Sequence, residues 1–195
     1  TSTHSVDEAA QITVSLDDVN SANAGNAPIS GTTTDVEESQ TVELAITDGT
    51  DTVNTTASVG ADGSYATTAD LSGLDDGELT VTATVSDQAG NDASATDNAT
   101  LDTVAEEGTV SVNDITGDDV INAQEAGETI PVTGSASGGD IAEGDTVAMT
   151  INGTEYTTSV GNNGEWSVDV DGADLAADTE FDVVVSSTDA AGNTV

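Results

Sequence analysis

Hydrophobic and polar residues alternate along most of this chain. Thr41-Val-Glu-Leu-Ala-Ile-Thr47 alternates, as does Leu79-Thr-Val-Thr-Ala-Thr-Val85, and Val147, Met149 and Ile151 fall on one face of Thr146-Val-Ala-Met-Thr-Ile151. Successive side chains of a strand point to opposite faces, so a period of two buries one side and wets the other. The Thr and Val that fill these runs favour strands through their branched Cβ atoms. Asp62-Gly63 and Asn163-Gly164 punctuate them as turns. No stretch carries helical spacing, so no helix is expected.

The pattern occurs twice. Ile12-Thr-Val-Ser-Leu-Asp-Asp-Val19 is echoed by Gly108-Thr-Val-Ser-Val-Asn-Asp-Ile115, and Pro28-Ile-Ser-Gly31 by Pro131-Val-Thr-Gly134. Val59-Gly-Ala-Asp-Gly-Ser-Tyr65 returns as Val160-Gly-Asn-Asn-Gly-Glu-Trp166, Ala69-Asp-Leu71 as Ala173-Asp-Leu175, and Asp87-Gln-Ala-Gly-Asn91 as Asp189-Ala-Ala-Gly-Asn193. The order is kept and the offset drifts only from 96 to about 104 residues, which defines a two-repeat protein. The expected organisation is 1–10 as the end of an upstream repeat or linker, 11–102 as repeat 1, 103–107 as linker and 108–195 as repeat 2.

Short strands at this density predict an all-β fold: two tandem immunoglobulin-like β-sandwich domains arranged end to end. In repeat 1 the strands are expected at 11–16 (A), 27–33 (B), 40–47 (C), 51–59 (C′ or D), 64–69 (E), 78–86 (F) and 93–101 (G). Tyr65 and Trp166 hold matching positions on strand E and read as core anchors. Repeat 2 stops two residues after Asn193, so its G strand is expected to be missing and its F strand to present an open edge. Residues 1–6 stand where an upstream G strand would end, which predicts a head-to-tail contact in which this segment of one molecule fills the gap in the next.

Charge changes the picture. The 195 residues contain 38 Asp and Glu and no Lys or Arg, a formal net charge of -38. Carboxylates confined in a fold with no internal counter-charge repel one another, so a folded chain calls for cations from outside. Runs of like charge mark disordered acidic tails. Here no run of Asp or Glu exceeds two residues, and hydrophobic residues make up 35% of the chain, which favours a folded protein. The same charge repels phosphates and anionic lipid, excluding nucleic acid and direct membrane contact as partners. No apolar stretch approaches the roughly 20 residues of a membrane helix. No signal sequence begins at Thr1, which reads as an internal fragment.

Calcium prefers six to eight oxygen ligands from carboxylates, amide side chains and backbone carbonyls. Stacking two such sandwiches brings the AB and EF loops of repeat 1 against the BC and FG loops of repeat 2. On that map Asp17, Asp18, Asn20, Asp75 and Asp76 meet the linker Asp102 and the second repeat's Asp140, Glu143, Asp145, Asp189 and Asn193. The far end of repeat 1 carries the equivalent set Asp7, Asp35, Asp87 and Asn91. Against this stands the plain role of Asp, Asn and Gly as turn residues. A second candidate lies within 114–125, where Asp114, Thr116, Asp118, the Val120 carbonyl, Asn122 and Glu125 fall at positions 1, 3, 5, 7, 9 and 12 of an EF-hand-like loop. Asp119 replaces the glycine expected at position 6.

Catalysis finds little support. Serine has no base partner, because the one His is His4 near the N-terminus and Lys is absent. Cysteine is absent as well, which removes disulfides and thiol chemistry. Paired carboxylates could serve glycoside cleavage, yet no aromatic sugar platform accompanies them. The chain reads as not an enzyme. Asn54-Thr-Thr56, Asn98-Ala-Thr100 and Asn152-Gly-Thr154 match a glycosylation acceptor that Thr-rich sequence produces by chance.

Asp-x-Ala-Gly-Asn at 87–91 and 189–193, Leu101-Asp-Thr103, the two Ala-Asp-Leu triplets and Asp119-Val-Ile-Asn122 together resemble the bacterial immunoglobulin-like repeats of giant RTX-type surface adhesins. The resemblance covers nearly the whole chain. It implies a calcium-rigidified extender module, type I secreted and extracellular on the bacterial surface, whose partners are neighbouring repeats of the same polypeptide. Such arrays hold out a distal binding region for attachment or biofilm formation. The linker lacks the proline often found there, and no RTX nonapeptide occurs. The alternative is a module that itself binds sugar, ice or another surface, which calls for a flat Thr-rich face or exposed aromatics in one repeat only.

Overall fold

The computed structural model describes residues 9–195, so Asp7 and the N-terminal segment expected to reach a neighbouring molecule lie outside the described residues. The chain divides into two compact units, Thr1–Val104 and Ala105–Val195. The first contains β1 (Gln11–Ile12), β2 (Ser15–Leu16), β3 (Val19–Asn20), β4 (Ala27–Thr34), β5 (Thr41–Thr47), β6 (Thr52–Ser58), β7 (Ser64–Ala69), β8 (Gly77–Ser86) and β9 (Asp92–Asp102). The second contains β10 (Thr109–Val112), β11 (Thr129–Ser137), β12 (Thr146–Ile151), β13 (Thr154–Ser159), β14 (Glu165–Asp171), the helix α1 (Gly172–Ala177) and β15 (Val183–Ser186).

In the first unit β1, β2 and β7 pair with β4, while a five-stranded sheet runs β3-β9-β8-β5-β6. The strand after β5 therefore stays in the sheet of β5, with Leu44 opposite Thr55, and takes the C′ place and not the D place. Alternation sets what lies between the sheets. Val42, Leu44 and Ile46 of β5, Leu79 and Val81 of β8, and Leu101 of β9 are all buried, together with Ile29 and Leu71. The outer face of the larger sheet carries Thr, Ser and Asn together with Glu43, Glu78 and Asp92. The Asp62-Gly63 turn, with Gly63 at φ 78°, hands the chain from one sheet to the other.

The second unit repeats the plan with β10-β11-β14 facing β13-β12-β15. Its core gathers Ile130, Val132, Val147, Met149, Ile151, Trp166, Val170 and Leu175. Among the described residues, β12 is the strand paired with β15. The expectation of no helix is corrected by α1. Its six residues start from Asp171, whose side chain accepts from the Ala173 N–H and caps the N-terminus. A helix of one and a half turns is too short to display a period of 3.6 in sequence.

The aromatic anchors explain two glycines. Tyr65 lies across Gly31 and Trp166 across Gly134, where any Cβ would overlap the ring and a neighbouring strand's backbone. The Tyr65 hydroxyl donates to the Thr13 carbonyl, and burial pushes the phenol's pKa up to about 12. The Trp166 indole Nε1 is buried without a hydrogen-bond partner, so this ring is held by packing. Gly134→Ala is expected to destabilise the second unit by about 1–3 kcal/mol through overpacking. The check is urea unfolding followed by the fluorescence of Trp166, the one Trp in the chain.

Candidate functional site

A carboxylate in this chain finds no Lys or Arg, so its partners are N–H and O–H groups. The Asp-x-Ala-Gly-Asn turns show how. The two carboxylate oxygens of Asp87 accept from the backbone N–H and the side-chain amide of Asn91, at 2.8 and 2.7 Å. Asp189 does the same with Asn193, again at 2.8 and 2.7 Å. Asp87 and Asn193 are buried. The bonds from the Asn side chains, followed by backbone donors, hold both Asp carboxyls below the usual carboxylate range. Beside the first turn the Gln88 N–H donates to Glu37, and Asp35 adopts φ 58°.

At the other end of the first unit, the close of β9 collects four of the predicted residues. Asp18 accepts from the Thr100 N–H at 2.7 Å. Asn20 lies opposite Asp102 in the parallel pairing of β3 with β9. Asp76 accepts from both the N–H and the hydroxyl of Thr103, at 3.1 and 2.9 Å. Asp17 and Asp75 are exposed nearby in sequence, and the Asp75 N–H donates to Asp48. Asp48 also accepts from the N–H groups of Thr50 and Asp51. Sequence reasoning missed Asp48, whose local turn bonds gave no hint of its partner 27 residues away, and Glu37, whose partner lies 51 residues away.

In the second unit Asp140 accepts from the Glu106 N–H at 2.6 Å and returns its own N–H to the Glu106 carbonyl. Its carbonyl accepts from the Ser187 hydroxyl, two residues before Asp189. Asp145 accepts from the Ala142 N–H within the same loop, and Glu143 is exposed. Asp174 of α1, the acid of the second Ala-Asp-Leu triplet and not among the expected ligands, accepts from Tyr156 and Asn152 and ties the helix to the hairpin of β12 and β13.

The loop 114–125 divides in two. The Thr116 hydroxyl lies 3.2 Å from both the Asp118 carboxylate and the Val120 carbonyl, gathering positions 3, 5 and 7. Asp119 adopts φ 57°, the conformation an EF-hand glycine supplies at position 6. The Asp119 substitution therefore keeps the backbone turn. Asn122 and Glu125 cap each other reciprocally, Asn122 N–H to Glu125 and Glu125 N–H to Asn122, at the start of a single 3-10 turn. Asp114 is exposed at the head of the loop.

These groups are hard oxygens, the donor class that calcium takes, and an oxygen that accepts one hydrogen bond retains a second lone pair. Among the described residues no three His, Cys, Asp or Glu side chains converge into a metal-holding group. An ion at these loops would complete its shell with Asn side chains, backbone carbonyls and water. The donor set fits calcium by chemistry, with side-chain convergence confined to pairs.

The two units are immunoglobulin-like β-sandwiches carried in tandem. No family model matches the chain, and no curated protein does. Solved structures do. One, a Ca2+-stabilized adhesin that helps an Antarctic bacterium reach out and bind ice, shares 48% identity over 97% of this chain with a TM-score of 0.82. Another, a 1.5-MDa bacterial ice-binding adhesin studied for host cell surface retention, shares 44% identity over 96% with a TM-score of 0.77. This chain spans 47% and 62% of those two. It belongs to the bacterial immunoglobulin-like repeats of large adhesins.

The depressed Asp189 carboxyl sets a pH dependence. Its stabilising contribution is fully present above the unfolded value of about 3.9 and is lost as pH falls through the lower folded value. Asp189→Asn is expected to lower the Trp166-reported melting temperature by a few degrees at pH 7. Below pH of about 3 the difference from the parent chain should shrink. Glu143→Gln, with the same change of charge at an exposed site, should leave the melt at its parent value.

Proposed function

We propose that this chain is a calcium-rigidified extender segment of a large extracellular adhesin on a bacterial surface, holding a distal binding region away from the cell. The observation that carries the reading is the all-acid charge of a chain that nevertheless folds as two β-sandwiches. The proposed ligand acids sit in turns and at strand ends, where a divalent ion relieves repulsion that no Lys or Arg can. The 48% identity to a Ca2+-stabilized adhesin supports the same reading. Asp17, Asp18, Asn20, Asp75, Asp76 and Asp102 of the first repeat are proposed as one ligand set, and Asp140, Asp189 and Asn193 of the second as another, each at an end of its own repeat. Asp35, Asp87 and Asn91, together with Asp7, form the equivalent set for a preceding repeat. The 114–125 loop is proposed as a local site through Asp114, Asp118, Asn122 and Glu125.

Small-angle scattering and thermal melts in EDTA, then in millimolar calcium, test this. Calcium is expected to raise the melting temperature and stiffen the particle, with half-saturation at ~10⁻⁴–10⁻³ M. Asp76→Asn together with Asp102→Asn should weaken the response. Equal effects from magnesium would reduce the acids to screened surface charge and sink the reading.

A second reading, direct binding to ice or a glycan, is favoured by one surface. The exposed or half-exposed rows Asn54, Ala45, Thr82, Thr96 and Thr52, Thr47, Thr80, Asn98 cross the outer face of the first unit's larger sheet. The corresponding face of the second unit presents Val184 beside Ala148. On this reading the whole chain is retained by an ice or glycan surface, and Thr82→Glu with Thr96→Glu releases it. A chain that passes through unretained removes the reading.

A further inference from the structure

The edge strand β6 carries no charge. Thr52-Val-Asn-Thr-Thr-Ala-Ser58 stands at the end of the five-stranded sheet and, among the described residues, pairs with β5 alone. Beside it in the other sheet lies β7, which pairs with β4 and is also uncharged. Between Asp51 and Asp70 the chain holds one acid, Asp62, although Asp and Glu make up 38 of the 195 residues. The second unit is built differently at the same place. Tyr65 and Trp166 match across the repeats, and the same offset of 101 residues sets Asn54 against Glu155, Ser64 against Glu165 and Thr68 against Asp169. All three acids are exposed on β13 and β14. Charged side chains on an edge strand oppose pairing with another chain. The second unit has this protection and the first lacks it.

Backbone geometry fixes what β6 offers. The Val59 N–H donates to the Gln40 carbonyl at 2.9 Å. Bonds in an antiparallel ladder recur at every second residue, so Val53, Thr55 and Ala57 also bond towards β5. Thr52, Asn54, Thr56 and Ser58 turn their N–H and C=O groups away from β5, and their side chains are exposed. The edge therefore presents an outward row of backbone donors and acceptors flanked by hydroxyl and amide side chains.

We infer that β6 is a docking edge for a second copy of this chain, pairing antiparallel with the same strand of the partner about a two-fold axis at Thr55. In that register Thr52 meets the partner's Ser58, and Asn54 meets the partner's Thr56, each through a pair of backbone hydrogen bonds. The hydroxyl and amide side chains lie side by side on the wet face, with Val53 next to the partner's Ala57 beneath them. Each pair occurs twice, so the contact is isologous and closes as a dimer. No carboxylate enters it. Glu43, opposite Thr56 on β5, stands roughly 16 Å from its copy, beyond the Debye length of about 8 Å at physiological ionic strength. Antiparallel pairing sets the two first units in opposite directions, as in copies projecting from facing surfaces. The net charge of -38 on each copy opposes the approach at low ionic strength, and screening by any salt lowers that barrier. Calcium has no part in this inference.

Sedimentation of the whole chain in EDTA, at about 20 mM and then about 500 mM sodium chloride, tests it. Monomers are expected at low salt and concentration-dependent dimers at high salt. Asn54→Glu, which gives β6 the residue that β13 already carries, should return the high-salt sample to monomers. Thr96→Glu makes the same change of charge on the outer face of β9 and should leave the dimers in place. The chain has no cysteine, which allows a check of register. Thr55→Cys, beside its own copy at the axis, is expected to give a disulfide-linked dimer with an added oxidant at high salt, whereas the exposed Ser94→Cys on β9 is not. Monomers at every salt concentration overturn the inference. Dimers that survive Asn54→Glu, or that cross-link through position 94 as readily as through position 55, overturn it by assigning the contact to another surface.

Discussion

The absence of any Lys or Arg governs this molecule. Every carboxylate that enters the fold must be satisfied by a neutral donor or by an ion from outside. The structure meets the first demand with backbone N–H groups. Asp18 takes Thr100, Asp76 takes Thr103, Asp140 takes Glu106, and Asp87 and Asp189 each take the Asn four residues on. Each bond uses a donor that turns and strand ends would otherwise leave to water. The acids are thereby part of the loop architecture as well as the source of its charge.

That dual role links fold to proposed function. Hydrogen bonds to N–H groups lower the carboxyl pKa and fix the carboxylate's direction, so Asp87 and Asp189 stay ionised and oriented. They do not cancel the charge. A chain of net charge -38 packed into two small cores remains under self-repulsion. On the proposed reading an external cation relieves that repulsion, and the module's stability then follows the ionic composition around it.

The two units differ in how their cores are sealed. In the first, β9 closes the sheet over Leu16, Leu79 and Val81. In the second, Trp166 takes the place of Tyr65 with its indole N–H unbonded, so the anchor that Tyr65 fixes by a hydrogen bond to Thr13 is there held by packing. Near-identical motifs thus sit in different packing environments. The helix α1, fixed by Asp171 at its cap and by Asp174 to Tyr156, strengthens the second unit at a place where the first has only a turn.

Sequence alone determined the all-β class, the internal duplication, the strands of the first unit from β4 to β9 and the aromatic anchors, while the strand expected at 11–16 is broken into β1 and β2 and β3 was not foreseen. Those follow from local rules: period-two alternation, branched side chains, turn residues and repetition. The register of 87–91 against 189–193 also made the comparison of strand F between the repeats legible. Tertiary structure decided which acid meets which amide. The partners of Asp18 and Asp97 lie 82 and 81 residues away, and the bonds that tie Asp48 and Glu37 to other elements span 27 and 51 residues. It likewise decided the C′ place of β6, because sheet membership depends on pairing partners and not on the strand's own pattern. The helix α1 escaped because six residues give periodicity too little length, so its cap and its packing against the hairpin had to be seen.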